Sequence, residues 1–446
     1  MEHGSVQESP ITLEGDNDIR FKPGMLLQTR AFLFDRDHAN LLPLEQHVDM
    51  CRLFHVRLAG ESRWNSGGNI AAGGDIEVAA IARDTDKDSI VPGKGAGPLT
   101  NGAPVTATET IVLVGAGNIG LRHLESLTKV RVPLSVHVFD TDPEATKWAQ
   151  EKMAGMKTSP FFSVCFANSL EALPEDVERI DLAIIATTSM PRRMIAEQVW
   201  ALKPVRAMLL EKVVFPRVED YDAVSKLAKR HSTRLFVNVC QRHAWMEALR
   251  EEAKTPVNLT VEGPNWGLCC NSIHFLDMFC FLNNEYNNGL EVSTERLQPG
   301  YCSAKREGYV ETTGTLDCSL LRAIDSSTKL ATASLQLTCT KDASKKLGYV
   351  VRGSCAEFSF VCDLHGDAVQ ITRSSGEKIQ TIPFKHPYLS ESNHLVVESI
   401  LSSRPGATVP RYEQVSTASK KLISAFIVFL KAAGNNMAAQ NICPIT

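Results

Sequence analysis

IVLVGAGNIG at residues 111–120 decides the fold of this chain. Four apolar residues lead directly into the spacing Gly-x-Gly-x-x-Gly, and the following stretch, Leu121 to Val130, has a helical pattern. Gly115 permits a tight turn, Gly117 lets the backbone approach a pyrophosphate, and Gly120 allows close packing of helix on strand. The free N–H groups at the helix start would receive the anion. The motif therefore predicts a Rossmann dinucleotide site formed by Gly115, Gly117, Asn118, Ile119 and Gly120.

An acidic residue follows at the spacing that such a site requires. A second apolar run, LSVHVF at 134–139, ends at Asp140, about 20 residues after Gly120. A carboxylate at this place accepts hydrogen bonds from the adenosine ribose hydroxyls and repels the extra phosphate of NADP. No arginine follows directly, so NAD is favoured and NADP is less expected. The alternative is a glycine turn without a dinucleotide, with Asp140 as a helix cap.

The apolar pattern predicts two kinds of sheet. Further runs rich in Val, Ile and Leu recur at 182–187, 207–211 and 235–239, and a weaker apolar run is at 162–167, with helical patterns between them. This alternation is typical of an α/β fold with a doubly wound parallel sheet. One of these helices is expected over Pro191 to Leu202, with Ser189 as its cap. After about residue 245, longer strands follow one another directly, which indicates an α+β domain with a mostly antiparallel open sheet. Helices are expected near 268–282, 390–403 and 411–432.

Composition sets the domain limits and excludes several functions. Residues 1–108 are predicted to be an extension and linker, partly disordered, since Asp84 to Thr110 is rich in Gly, Pro, Thr and Asp. A Rossmann domain is expected over 109–244, and a substrate-binding and oligomerisation domain over 245–446. The formal net charge of −4 argues against a nucleic-acid partner. No apolar run reaches the roughly 18–20 residues of a membrane span.

The 12 cysteines predict no disulfide framework and no metal site. They are scattered without CxxC pairs, and the chain starts without the pattern of a signal peptide. We therefore expect reduced thiols and a cytoplasmic protein. Cys269, Cys270 and His274 are close in sequence, but neighbouring residues on a helix point about 100° apart, so they do not suit one ion.

Several motifs in a fixed order resemble the Gfo/Idh/MocA oxidoreductases, which act mostly on sugars, cyclitols and related polyols. The resemblance covers roughly residues 111–435, about three-quarters of the chain. The motifs are VGAGNIG at 114–120, DLAIIATTS at 181–189, LLEKVV at 209–214, GLCCNSIHFLDMF at 267–279 and SNHLVVESILSSRPGATVPRYEQ at 392–414.

The resemblance implies a lysine close to the nicotinamide and to the substrate hydroxyl. Glu211 and Lys212 match the family's Glu-Lys-Pro tripeptide, whereas Val213 replaces the proline that helps to fix the local backbone. Lys212 directly follows a buried strand, at the sheet edge where such folds bind ligands, and would share a hydroxyl proton. The alternative is an ordinary lysine at a strand end. Thr187 and Thr188 occupy the family's nicotinamide loop and, like Glu211, are predicted to contact the cofactor. The histidine common after that loop is replaced by Arg192 or Arg193.

The resemblance also implies a second set of site residues, on the helix near 268–282. His274 matches a catalytic histidine and Asp277 a later acidic residue, but the place of the family's aspartate is taken by Cys270. Cys270, His274 and Asp277 share one helix stripe, with Asn271 beside it. We expect His274 to be catalytic, and we expect Cys270, Asn271, Asp277 and Arg242 to bind substrate. The alternative for His274 is a core histidine.

These residues predict an NAD-dependent oxidoreductase that transfers hydride between nicotinamide and a sugar, polyol or nucleotide-sugar. Lys212 and His274 are the groups expected to take the hydroxyl proton. A homodimer or homotetramer is expected by analogy. A second hypothesis is a non-catalytic sensor or regulator that binds NAD and sugar, because Cys270 and Val213 depart from the family's pattern. A third, with an amino acid or imine as substrate, has only Arg242 to receive a carboxylate.

Overall fold

The computed structural model describes residues 108–446, apart from 240–241, 287–288, 324–328, 377–378 and 403–408. The predicted N-terminal extension and linker therefore lies outside the described residues, except for its last residue. All described residues are part of one compact unit, Thr100–Thr446.

Runs of branched apolar residues form a parallel sheet of six strands in the described part of the chain. They are β1 (Glu109–Val114), β2 (Leu134–Phe139), β3 (Phe162–Ala167), β4 (Leu182–Ile185), β5 (Ala207–Glu211) and β6 (Arg234–Asn238). Their order is β3-β2-β1-β4-β5-β6, and each neighbouring pair is parallel. The strand order reverses between β1 and β4, which is where such sheets bind ligands. The predicted doubly wound sheet is confirmed.

Helices cover both faces of this sheet, so its central strands are buried on both sides. They are α1 (Asn118–Leu127), α2 (Pro143–Ala154), α3 (Arg192–Leu202) and α4 (Val218–Arg230). Alternate residues of β1 belong to two separate hydrophobic cores, one on each face. Ser189 does not cap α3 as predicted, because its hydroxyl donates to the carbonyl of Ile445 at 2.9 Å. The helix instead begins after Pro191, whose fixed φ suits a first helical turn.

The second half of the chain adds ten strands among the described residues. They are β7 (Asn258–Pro264), β8 (Leu290–Ser293), β9 (Cys302–Ser303), β10 (Val310–Glu311), β11 (Gly314–Ala323), β12 (Lys329–Thr340), β13 (Val350–Ser354), β14 (Phe358–Asp363), β15 (Ala368–Arg373) and β16 (Gln380–Pro383). Eight form one sheet in the order β16-β15-β14-β13-β7-β12-β11-β8, while β9 and β10 form a separate small hairpin. Only the pair β7–β12 is parallel in the large sheet, so the predicted mostly antiparallel sheet is confirmed.

Five further helices hold the two sheets together. They are α5 (Ala244–Glu252), α6 (Leu268–Leu282), α7 (Leu389–Ser402), α8 (Tyr412–Ala432) and α9 (Asn436–Ala439), and the three longest match the predicted helices. The apolar helix α6 packs on β7 and β12 and against α8. In turn, α8 contacts α4, and α7 packs along α1 beside the first sheet. Among the described helices, none has the length and apolar character to cross a membrane.

Candidate active site

The glycine turn between β1 and α1 has the shape that its sequence predicts. Gly115 has φ +104°, a conformation that residues with a Cβ rarely adopt. A Cβ on Gly120 would lie 1.7 Å from the carbonyl oxygen of Gly115, so only glycine fits there. A Cβ on Gly117, in contrast, would have no atom within 4 Å. Open space at Gly117, next to the start of α1 at Asn118, is what close approach of a pyrophosphate requires.

The carboxylate of Asp140 is held beside this turn. The N–H of Ala116, inside the turn, donates to Asp140 Oδ2 at 2.7 Å, and the N–H of Asp142 donates to Oδ1 at 3.0 Å. Helix α2 is capped by Asp142, which accepts from the N–H of Glu144 at 3.0 Å. The alternative role of Asp140 as the cap is therefore wrong. Its position at the end of β2 fits a ribose contact and disfavours the phosphate of NADP.

A cavity of 510 Å³ opens next to the glycine turn, within the usual range for small-molecule sites. It lies between the carboxyl ends of β4 and β5, the start of α6, and the β9–β10 hairpin. The predicted site residues among its lining are Ile119, Thr187, Glu211, Lys212, Cys270 and Asn271. The first sheet and the second sheet's helix thus contribute to one cavity.

Lys212 connects the first sheet to helix α6 at the cavity. It follows β5, and its Nζ donates to the carbonyl of Cys270 at 2.9 Å and to Asn271 Oδ1 at 3.0 Å. The amide nitrogen of Asn271 donates in turn to the carbonyl of Trp266, which fixes the orientation of the amide. The ammonium group is therefore positioned at the cavity by one backbone and one side-chain acceptor of α6.

Arg192 holds the backbone around Lys212 where the family's proline is absent. The Lys212–Val213 peptide bond is cis. The buried guanidinium of Arg192 donates to the carbonyls of Val213 and Val214, the latter at 2.7 Å, and to the carbonyl of Thr187. Burial lowers its pKa to about 10, so it stays charged at neutral pH. From the sequence, either Arg192 or Arg193 replaces the family's histidine after the nicotinamide loop. Of the two, Arg192 lines the cavity.

Glu211 belongs to a buried hydrogen-bond network. Its Oε1 lies 2.7 Å from Nε2 of His123 and accepts from the amide of Asn238 at 2.6 Å. The amide nitrogen of Asn393 lies 2.8 Å from His123 Nδ1. An amide nitrogen can only donate, so Nδ1 accepts, and we assign the ring proton to Nε2, which donates to Glu211. Burial raises the pKa of Glu211, but the His123 and Asn238 hydrogen bonds outweigh it and the pKa is lowered. Sequence reasoning missed His123, although a histidine on the apolar side of α1 was a visible signal.

The start of α6 is anchored by a second carboxylate, which sequence reasoning also missed. Glu311 of β10 accepts from the N–H of Cys269 at 2.8 Å and of Cys270 at 3.2 Å. An anion is favourable at this helix end because the free N–H groups point toward it. The Cys270 thiol donates to the carbonyl of Gly267 at 3.6 Å, and burial raises its pKa to about 12, so it is neutral.

His274 and Asp277 are on later turns of α6, and Arg242 lies just before α5; all three are outside the cavity lining. Burial, together with the charge of Lys212, lowers the pKa of His274 to about 3, so its ring is neutral at neutral pH. Arg242 Nη2 lies 3.6 Å from Asp277 Oδ1, and its guanidinium stacks 4.6 Å from the ring centre of Phe281. Only the first turn of the predicted stripe therefore reaches the cavity. Substrate binding by Arg242 and Asp277, and a cofactor contact by Thr188, stay predictions.

Comparisons with known proteins agree with this architecture. Residues 110–239 match the Gfo/Idh/MocA family model, described as "Oxidoreductase family, NAD-binding Rossmann fold". No curated protein matches the sequence. Fold and site thus define an NAD-binding Rossmann oxidoreductase domain. The resemblance predicted from the sequence is confirmed over residues 110–239, which match the model of the Gfo/Idh/MocA family.

Solved structures share the fold over most of their length. UDP-N-acetylglucosamine 3-dehydrogenase GnnA from Acidithiobacillus ferrooxidans is 14% identical, with a TM-score of 0.52 over 74% of this chain and 98% of that one. GenD2 from gentamicin A biosynthesis, in complex with NAD, is 17% identical, with a TM-score of 0.52 over 76% and 98%. A super-repressor mutant of Gal80p from Saccharomyces cerevisiae is 11% identical, with a TM-score of 0.54 over 73% and 97%. At these identities the likeness shows the fold alone.

Proposed function

We propose that this chain transfers hydride between NAD and a hydroxyl or carbonyl carbon of a sugar, polyol or nucleotide-sugar. NAD supplies or accepts the hydride at its nicotinamide ring. The observation that supports this proposal is the position of Lys212, whose Nζ is fixed at the cavity 2.9 Å from the carbonyl of Cys270 and 3.0 Å from Asn271 Oδ1. The glycine turn and Asp140 provide the adjoining dinucleotide site.

Lys212 is the group that handles the substrate proton in this proposal. An ammonium group has three N–H donors, and two of them are used by α6, which leaves the third for a substrate oxygen. In the reduction direction, negative charge develops on the carbonyl oxygen as hydride adds to its carbon, and the ammonium gives that oxygen a proton and becomes a neutral amine. In the oxidation direction, the neutral amine takes the hydroxyl proton as hydride leaves the carbon. Asn271 orients the ammonium and retains one amide hydrogen for a substrate hydroxyl. It is a positioning residue as well as a binding residue.

His274 has a smaller part in the proposal. A pKa of about 3 makes its neutral ring a weak base, since a general base is most effective when its pKa is near the working pH. Cys270 does not replace a carboxylate either, because its thiol is neutral at a pKa of about 12. The proton therefore passes mainly through Lys212, whereas His274, on α6, is outside the cavity lining.

The experiment is a comparison of Lys212→Ala with the wild type. Cofactor reduction is followed with a panel of sugars, polyols and nucleotide-sugars, and NAD binding is measured by calorimetry. We expect turnover to fall by about 10²–10⁴-fold with NAD affinity retained. Lys226→Ala is the control, an exposed lysine of α4 that should leave both unchanged. Turnover within tenfold of wild type in Lys212→Ala would contradict the proposed role.

A non-catalytic sensor of the same fold is the second candidate. It is favoured by two observations: Cys270, which takes the place of the family's aspartate, is a neutral thiol, and His274 lies outside the cavity lining. It predicts tight NAD and sugar binding with no cofactor reduction for any member of the panel. The same assay therefore separates the two candidates.

A further inference from the structure

Three cationic side chains form one wall of the cavity, which we call the cationic wall. Lys305 and Arg306 belong to the connection between β9 and β10, and Lys341 follows β12. All three are exposed, and none forms an ion pair with another described residue. Arg306 donates a hydrogen bond to the Thr446 hydroxyl at 3.1 Å, which leaves most of its N–H groups for a ligand.

The other charged groups of the cavity already have partners within the protein. The carboxylate of Glu211 is held by His123 and Asn238, and that of Glu311 by two N–H groups at the start of α6. Arg192 donates to three backbone carbonyls. The unbalanced charge of the cavity is therefore positive, and it is concentrated on the side contributed by the second half of the chain.

The phosphates of NAD do not account for this charge. The pyrophosphate site is the glycine turn at the start of α1, where backbone N–H groups provide the donors. The cationic wall belongs instead to the elements that face Lys212 from the second half of the chain. A positively charged wall focuses anionic ligands and raises their local concentration.

We infer that the substrate of this site bears an anionic group, a phosphate or a carboxylate, bound by Lys305, Arg306 and Lys341. This inference rests on the proposed function, because it places the reacting carbon at Lys212 and the anion at the cationic wall of the same cavity. The guanidinium of Arg306 can bind either oxyanion through two parallel hydrogen bonds, and the lysines add point charges. The hydroxyls of Ser303 and Thr340 line the same wall.

The test is binding to the intact protein saturated with NAD, so that the dinucleotide site is filled. Calorimetric titrations use glucose, glucose 6-phosphate, glucuronate and UDP-glucose. We expect at least one anionic probe to bind more than tenfold tighter than glucose, with an affinity that falls as salt increases. Glucose 6-phosphate and UDP-glucose test a phosphate, and glucuronate tests a carboxylate.

Variants of the cationic wall complete the test. Each of Lys305→Ala, Arg306→Ala and Lys341→Ala should weaken the preferred anionic probe by about fivefold, the upper end for exposed ion pairs. The triple variant should weaken it by about a hundredfold if the contributions add. Lys385→Ala, an exposed lysine outside the cavity lining, is the control.

The outcomes separate this inference from the proposed function. Equal affinity for glucose and all three anionic probes, or anion binding unchanged in the triple variant, overturns the inference even if turnover is found. Anion binding that depends on the wall, with no cofactor reduction, supports the inference and refutes only hydride transfer.

Discussion

Replacing Asp277 with asparagine should stabilise the protein at neutral pH. Asp277 is 2% exposed, and the Nη2 atom of Arg242 lies 3.6 Å from its Oδ1, beyond hydrogen-bond distance. Neither carboxylate oxygen has a hydrogen-bond partner among the described residues. Burial raises the pKa from 3.8 to about 6, although Arg242 opposes this rise. The fold therefore disfavours the charged carboxylate.

The magnitude follows from linkage between protonation and folding. The folded protein holds a proton at Asp277 up to about pH 6, whereas the unfolded chain loses it near pH 4. Between these values the unfolded state binds fewer protons, so stability falls as pH rises. At pH 7 the penalty on the charged form is about 3 kcal/mol, at 1.36 kcal/mol per pKa unit. Asparagine resembles the protonated acid and should remove this penalty.

The assay is urea unfolding of wild type and Asp277→Asn at several pH values, with NAD held at one concentration. We expect a gain of about 3 kcal/mol at pH 7 to 8 and about half of that at pH 5. Asp222→Asn removes an exposed carboxylate paired with Lys420 and should change stability by less than about 1 kcal/mol. A loss of stability in Asp277→Asn at pH 7, or a gain that does not depend on pH, would refute the reasoning.

Other predictions concern the cofactor site and its support. Gly117→Ala should fold normally, because its Cβ enters only open space, but the Cβ occupies the space expected for the pyrophosphate and should weaken NAD binding at least tenfold in calorimetry. Gly120→Ala should also lower the melting temperature, because its Cβ would overlap the carbonyl of Gly115. Asp140→Ala should reduce the ratio of NAD to NADP affinity, and an unchanged ratio would argue against a ribose contact. His123→Leu should lower the free energy of unfolding by about 1–3 kcal/mol in urea, since it removes one of the two hydrogen bonds that the buried Glu211 carboxylate accepts.

The first sheet was predictable from sequence because its strands are buried on both faces. Continuous apolar runs such as LAII of β4 have few other structural explanations. Strand β7 was not predicted, although it lies in the middle of the second sheet. Its sequence NLTVEGP has only Leu259 and Val261 as buried apolar residues and ends in Gly-Pro, which is more typical of a turn. Short alternating strands depend on tertiary pairing that local sequence does not specify.

A site residue was predictable where a side chain suited to catalysis directly follows a predicted strand. Lys212 follows a buried strand, and both properties are visible in the sequence. Its partner at Cys270 is a backbone carbonyl, and sequence contains no information about which carbonyl approaches which lysine. Glu311 belongs to a two-residue strand 40 residues beyond Asn271, so only the folded chain shows that it anchors α6.

Departures from a family motif are best judged by their surroundings in the fold. Val213 lacks the ring that restricts a proline backbone, yet its carbonyl and that of Val214 both accept from Arg192. The same guanidinium binds the carbonyl of Thr187. One buried cation thus ties the predicted nicotinamide loop to the segment that bears Lys212. Hydrogen bonds to a charged donor contribute about 1.5–3 kcal/mol each. Arg192 therefore restrains the backbone that follows Lys212 from outside the motif, whereas the family's proline restrains it from within the motif.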